Sequence, residues 1–223
     1  MKHNEAAPLL PLAVIARVHN DFPTKFGLPR QSGMIAALES TIVFEPAYRN
    51  PDALRGLEGF SHIWLVWGFS QSQREQWSPM VRPPRLGGNR RMGVFATRSP
   101  NRPNPLGLSS VKLIALQTDA VLGTVLRVSG ADMMDGTPIF DIKPYLPYAD
   151  CHPEATGGFA ENTAANRLAV TIAPKWLALF SGEQQETLTQ VLAGDPRPAY
   201  QDDPTRVYGF NFTGYDVRFT VVD

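Results

Sequence analysis

Twenty prolines among 223 residues exclude a fold built on long helices, because each proline removes a backbone donor and its ring blocks the preceding helical turn. The apolar segments are short and punctuated by Gly, Pro, Asn and Asp, the pattern of strands and turns. Strands are predicted at Leu12–Val18, Ala37–Phe44, Ile63–Phe69, Met92–Thr97, Ser109–Leu116, Ala120–Val128 and Pro138–Ile142, several rich in β-branched or aromatic residues. Their spacing predicts a barrel or curled sheet. Asn50-Pro51-Asp52 has the form of an N-cap with proline at the first helical position, so a short helix is expected over Ala53–Leu57.

After Tyr148 the pattern weakens. Ala149–Asn166 carries Pro153, Gly157 and Gly158 and reads as a linker or loop. A mainly β N-terminal domain over 1–150 and a small α+β C-terminal domain over 165–223 are therefore expected. The second should hold a strand at Leu168–Ile172, a helix at Glu183–Leu192 and a hairpin of Val207–Phe212 with Tyr215–Val222. Ser181 and Gln184 have capping-box spacing, Leu188, Val191 and Leu192 share one face, and Gly194 supplies a stop.

Hydrophobic residues at 43% and charged residues at 19% describe a globular chain able to bury a core. The longest apolar stretches, around Ile63–Phe69 and Ala120–Val128, are too short to span a bilayer, and Met1–Pro11 lacks a signal-peptide core. The expectation is a cytoplasmic protein with no membrane association. One cysteine, Cys151, and four scattered histidines give neither an internal disulfide nor zinc-site spacing. Net charge is zero, but Gln76–Thr118 contains no Asp or Glu while holding Arg82, Arg85, Arg90, Arg91, Arg98, Arg102 and Lys112. Such a cluster fits a partner bearing phosphates or carboxylates; simple solvation of loop arginines is the alternative.

Three segments mix Gly or Pro with charge: Phe26–Gln31, Val81–Leu108 and Asp132–Tyr145. Gly87-Gly88 follows a proline pair but matches neither a Walker loop nor a dinucleotide fingerprint. Arg98 and Arg102 leave a predicted strand end into the turn Asn101-Arg102-Pro103-Asn104-Pro105, a common location for binding residues. Asp132 and Asp135 flank a turn before the next strand, where either carboxylate could accept from ribose hydroxyls or an amine; from spacing alone, turn chemistry is the favoured account of Asp135-Gly136.

Taken together, Val81-Arg82-Pro83-Pro84-Arg85-Leu86-Gly87-Gly88-Asn89, Gly93-Val94-Phe95-Ala96-Thr97-Arg98-Ser99, Arg102-Pro103-Asn104-Pro105, Asp135-Gly136-Thr137-Pro138 and Asp141-Ile142-Lys143-Pro144-Tyr145 resemble the TsaA-like (TrmO) family of tRNA methyltransferases. The likeness runs from about Ile15 to Pro147, and Asp195-Pro196-Arg197-Pro198-Ala199-Tyr200 resembles the family's bacterial C-terminal signature. The resemblance implies a single β-barrel followed by the small α+β domain. It also implies a homodimer with S-adenosylmethionine near the subunit interface, and methylation of N6 of threonylcarbamoyladenosine beside the tRNA anticodon. By the same resemblance the cofactor falls to Pro29, Arg30, Gln31, Ser70, Gln71, Arg98, Leu108, Asp132, Met133, Met134 and Asp135. Ser70 stands where related sequences often have histidine; a hydroxyl can replace its hydrogen bond but not its charge.

On that reading Arg82, Arg85, Arg90, Arg91, Arg102, Lys143, Tyr145 and Arg197 are candidates for contact with the anticodon loop, joined by Tyr148 and Tyr200. Trp64 and Trp67 are expected in the core. Displacement at a sulfonium needs no protonated leaving group, so alignment should dominate and no catalytic dyad is required. Asp135 is the candidate carboxylate for orienting the attacking nitrogen, with a structural turn role for Asp135 and a purely positional mechanism as the alternatives. The alternatives are a non-catalytic RNA-binding barrel, and a metal-dependent hydrolase using Asp132, Asp135 and Asp141, although the latter lacks a ligand motif. No metal is expected.

Overall fold

The computed structural model describes residues 11–71, 76–83, 90–163, 167–197 and 203–222. Arg85, the Gly87-Gly88 pair and Tyr200 lie outside the described residues. The main sheet uses β1 (Ala16–His19), β2 (Glu39–Phe44) and β3 (His62–Gly68). A short hairpin of β4 (Met80–Val81) and β5 (Met92–Gly93) follows, and then β6 (Leu106–Asp119), β7 (Gly123–Ser129) and β8 (Pro138–Pro144). Pairing is antiparallel throughout, in the order β1-β2-β7-β6-β3-β8. Ala16↔Ile139 and Arg17↔Pro138 return β8 to β1, so the sheet closes on itself and its six strands lose their open edges.

The strands form because their sequences alternate. Ser40, Ile42 and Phe44 of β2 and Ile63, Leu65 and Trp67 of β3 point inward and are buried, while their neighbours are more exposed. That period settles the two tryptophans. Trp67 belongs to the core as expected, whereas Trp64 is half-buried on the outer face, packed on Tyr145 at 5.5 Å between ring centroids. Its indole donates to Asp150 Oδ2 at 2.9 Å. The Leu146 amide and then the Trp64 indole lower the Asp150 pKa.

Several boundaries differ from the sequence expectation. Met92–Thr97 is a strand only through Gly93; Val94–Ala96 is a 3-10 helix closed by the Thr97 amide and hydroxyl, both donating to the Val94 carbonyl. The expected helix at Ala53–Leu57 is instead a 3-10 helix, Pro51–Leu54, capped by the Asn50 side chain. It ends at Arg55, whose extended backbone donates to the Asp52 carbonyl, and Gly56 at φ +88° then opens a second 3-10 helix, Leu57–Gly59. The first strand starts at Ala16 rather than Leu12. The expected strand at Leu168–Ile172 joins no ladder; the Leu168 amide instead donates to the Ala193 carbonyl.

Beyond β8 come α1 (Pro147–Asp150), a 3-10 helix at Gly158–Thr163 inside the expected linker, α2 (Pro174–Leu177), α3 (Gly182–Ala193) and the hairpin β9 (Tyr208–Phe212) with β10 (Tyr215–Phe219). The Ser181–Gln184 capping box is formed in both directions. Leu188, Val191, Phe210 and Phe212 share one apolar cluster with Val18, Phe22, Ile35 and Leu38. Thr187 Oγ1 also donates to the Ala37 carbonyl at 2.7 Å, so the C-terminal elements close over the sheet instead of forming a separate core.

Candidate functional site

A cavity of about 280 Å³ opens where the 25–30 loop, the end of β3 and the 132–137 turn meet. Its wall is Lys25, Leu28, Pro29 and Arg30 from the loop, Trp67 to Gln71 from β3 and the residues after it, Pro100, and Asp132, Met133, Met134 and Thr137.

Close backbone approach shapes each part of this wall. In the β3–β6 ladder Trp67 is paired with Gly107, and its indole covers that glycine: a Cβ there would lie 2.1 Å from Trp67 Cε2. β3 shifts register against β8 between Val66 and Trp67, and Phe140 of β8 lies against Gly68. Gly27, at φ +92°, turns the loop back over the Phe210 ring. The 132–137 turn is pinned to the end of β1. Asn20 Nδ2 donates to the Met133 carbonyl at 2.9 Å, the Asp135 amide to Phe22 O at 2.8 Å, and the Gly136 amide to Val18 O at 2.8 Å.

Asp132 is the carboxylate of the cavity. Its Oδ1 accepts from the buried Ser109 hydroxyl at 2.6 Å, and that hydroxyl accepts from Trp67 Nε1 at 2.9 Å. Burial pushes the Asp132 carboxyl above its ordinary pKa, opposed by the Ser109 hydrogen bond and, more weakly, by the Arg98 guanidinium. The wall thus offers cations at Lys25 and Arg30, an anion at Asp132 and apolar surface at Leu28, Trp67 and Met133. That donor set suits a compact ligand carrying both charges on an apolar body.

Of the eleven residues expected at a cofactor, Pro29, Arg30, Ser70, Gln71, Asp132, Met133 and Met134 come together in this wall. Gln31 and Arg98 stand one step behind it: Arg98 Nη1 donates to Gln31 Oε1, and Gln31 Nε2 donates to the Arg30 carbonyl. Leu108 is 56% exposed on the outer side of β6. Asp135 is not in the wall. Its Oδ1 accepts from the Asn20 amide and lies 3.2 Å from His19 Nδ1, a turn-holding arrangement. The three aspartates weighed as metal ligands do not converge: Asp132 faces Ser109, Asp135 faces His19, and Asp141 pairs with Lys143 at 3.1 Å. Among the described residues no group of three acidic, histidine or cysteine side chains is placed to hold a metal ion, and no helix is long and apolar enough to cross a membrane.

The cationic candidates divide. Arg82, Arg90 and Arg91 are exposed beside β4 and β5. Arg102 is half-buried and turns inward, donating to the Thr97 carbonyl at 2.9 Å. The Arg197 side chain, 12% exposed, is bound twice by Asp195, and its carbonyl accepts from Arg30 Nη2 at 2.9 Å; it braces the cavity wall. Lys143 is exposed, Tyr145 packs between His62 and Trp64, and Tyr148 is 86% exposed. Sequence reasoning missed Lys25, Asn20, Ser109 and the wall position of Trp67, and also the stacked Trp77–Phe95 pair, whose rings are 50% and 76% exposed.

Residues 17–151 match the family model for the tRNA-methyltransferase O N-terminal domain and residues 165–223 match that for the TrmO C-terminal domain. The chain is 41% identical over 219 residues to the tRNA (adenine(37)-N6)-methyltransferase of Escherichia coli, covering 94% of this chain and 92% of that one. It is 40% identical to a putative S-adenosylmethionine-dependent methyltransferase, RcsF, of Pseudomonas aeruginosa, covering 92% and 90%. The crystal structure of TrmO from Pseudomonas aeruginosa superposes with a TM-score of 0.75 at 33% identity, covering 96% of this chain and 93% of that one.

Proposed function

Because this chain belongs to the tRNA-methyltransferase O family, we infer that it is an S-adenosylmethionine-dependent tRNA (adenine-N6)-methyltransferase acting at position 37. The observation that carries the site assignment is the convergence of Pro29 and Arg30, Ser70 and Gln71, and Asp132 to Met134 on one cavity. Those segments are distant in sequence, and a cofactor is what a shared wall of this chemistry serves. We read the closed sheet as a single β-barrel and the chain as two domains, 1–150 and 165–223, that pack on a common core.

Bound in the cavity, S-adenosylmethionine supplies an electrophilic methyl group on a sulfonium. The Asp132 carboxylate complements the donor's positive charges, and Arg30 and Lys25 complement its carboxylate. Arg98 and Gln31 hold Arg30 from behind. Leu28, Trp67 and Met133 form the apolar part of the wall and would keep water from a bound donor. The donor would supply a methyl group for in-line displacement by N6, the carbon–sulfur bond breaking to leave a neutral thioether that takes no proton and the N6 proton passing to solvent. Alignment therefore does most of the work. Asp135, occupied by Asn20 and His19, shapes the turn that presents Asp132 to Met134.

The substrate reading is finer: a tRNA whose position 37 carries the threonylcarbamoyl group, with Arg82, Arg90 and Arg91 on anticodon-loop phosphates or on the threonine carboxylate. Exposed Trp77, Met80, Phe95 and Leu108 support a homodimer, since apolar side chains of this size left in water are disfavoured on a lone subunit. A tRNA substrate supports a cytoplasmic location.

Cofactor affinity separates this reading from an RNA-binding barrel without catalysis. Titration calorimetry should show one S-adenosylmethionine site per chain, with Arg98→Ala weakening it about tenfold by releasing Gln31 and, through it, the Arg30 backbone of the wall. The variant's melting temperature should be unchanged, because Arg98 is exposed. Binding of tRNA with no S-adenosylmethionine site would favour the non-catalytic barrel.

A further inference from the structure

We propose that Ser109 is a positioning residue of this reaction: held by the Trp67 indole, its hydroxyl fixes the Asp132 carboxyl group against the cavity where the methyl donor binds. The proposal rests on the cofactor site assigned above and adds a residue outside it.

Ser109 does not line the cavity; it lies behind the wall and is 1% exposed. A serine hydroxyl rotates freely and can donate in several directions, but here its acceptor side is occupied by Trp67 Nε1 at 2.9 Å, which leaves its single proton for Asp132 Oδ1 at 2.6 Å. The indole nitrogen can only donate, so the polarity of the chain Trp67→Ser109→Asp132 is fixed at its first link. Trp67 is itself immobilised. Its ring covers Gly107 and meets Phe69 at 4.4 Å between centroids. Trp67 and Ser109, brought together by the β3–β6 register, thus aim one oriented proton at Asp132 in the turn after β7, countering the upward pull of burial on its carboxyl.

The charged side chain acting on Asp132 is Arg98, after β5, while Lys25 and Arg30 line the same cavity from the 25–30 loop. The Ser32 amide also favours the anion. The strands β3 and β6 contribute no titratable side chain to this wall, so on their side Ser109 is the group that favours ionisation. The sign follows. Asp132 binds a cationic ligand when ionised, so affinity for S-adenosylmethionine rises with pH through its titration. Removing the Ser109 hydroxyl moves that rise to higher pH.

The test is the pH dependence of S-adenosylmethionine affinity for the full chain and its Ser109→Ala, Ser109→Thr and Asp132→Asn variants, with thermal melting as the check on folding. Ser109→Ala should shift the midpoint upward by about one pH unit and weaken binding about tenfold below the midpoint, the effect of losing a hydrogen bond to a charged group. Ser109→Thr, which keeps the hydroxyl, should restore the wild-type profile. In Asp132→Asn the dependence should vanish, and adding Ser109→Ala should cause no further pH shift. An unshifted profile in Ser109→Ala overturns the proposal while leaving the cofactor site standing. A wild-type chain with no S-adenosylmethionine affinity at any pH overturns the cofactor site itself. If Ser109→Ala melts early, Ser109→Cys, which keeps the side-chain size but offers only a weak donor, takes its place: a profile shifted to higher pH supports the proposal and an unshifted one overturns it.

Discussion

Gly107→Ala is expected to destabilise the fold by about 3 kcal/mol and to remove S-adenosylmethionine binding together with methyl transfer. The added methyl would sit 2.1, 2.4 and 2.6 Å from Trp67 Cε2, Cζ2 and Cδ2, distances that no small adjustment relieves. The indole has nowhere to go. Phe69 packs on it at 4.4 Å between centroids, its nitrogen is tied to Ser109, and its ring is 7% exposed within the core. Displacing it breaks the cavity wall and the Ser109–Asp132 contact at once. Denaturant midpoint and calorimetric titration measure the two consequences. Gly182→Ala is the control: an added Cβ there meets nothing within 4 Å, and stability should change by no more than about 0.5 kcal/mol.

Phe212→Ala should cost about 3–5 kcal/mol, the range for emptying a buried aromatic site, and should weaken the cofactor site at a distance. Phe212 is fully buried, with Phe22 and Phe180 at 5.1 and 5.6 Å between ring centroids. Phe22 stands in the loop that leads into the cavity, its carbonyl accepts the Asp135 amide, and Gly27 rests on Phe210 of the same hairpin strand. Loosening β9 therefore withdraws support from both the 25–30 loop and the 132–137 turn. Limited proteolysis should cut the C-terminal hairpin of the variant first, and cofactor affinity should fall with the melting temperature. Val222→Ala, at a position 80% exposed, should do neither.

How much of this was readable in the sequence follows from the range of the interactions involved. Local alternation located the strands of the sheet, and the Ser181–Gln184 spacing located α3, because period and capping are set by neighbours in the chain. Strand β6 runs on to Asp119 although Ser109–Leu116 was expected, since its outer part pairs with β7 in solvent and carries no buried alternation. The Met92–Thr97 segment has strand composition, yet Thr97 bonds back to Val94 and bends it. Leu168–Ile172 has the composition too, but finds no partner strand. At the candidate site, the resemblance to the family implied Pro29, Arg30, Ser70, Gln71 and Asp132 to Met134, and the fold brings these together in one wall. Nothing in the sequence marked Ser109, Asn20 or the wall position of Trp67, because their roles come from cross-strand register and from contacts spanning 23 to 113 positions. The arginines show the same limit. Arg102 and Arg197 look like any other cation in the sequence, and only the fold shows that their guanidinium groups are engaged by Thr97 and Asp195.

Methyl transfer itself is decisive: labelled S-adenosylmethionine is offered to two tRNA preparations, one carrying threonylcarbamoyladenosine at position 37 and one lacking it, followed by nucleoside analysis. Label is expected on N6 of the position-37 nucleoside of the modified tRNA and none on the unmodified one. Folded protein that binds tRNA and transfers no label to either preparation would contradict the methyltransferase reading.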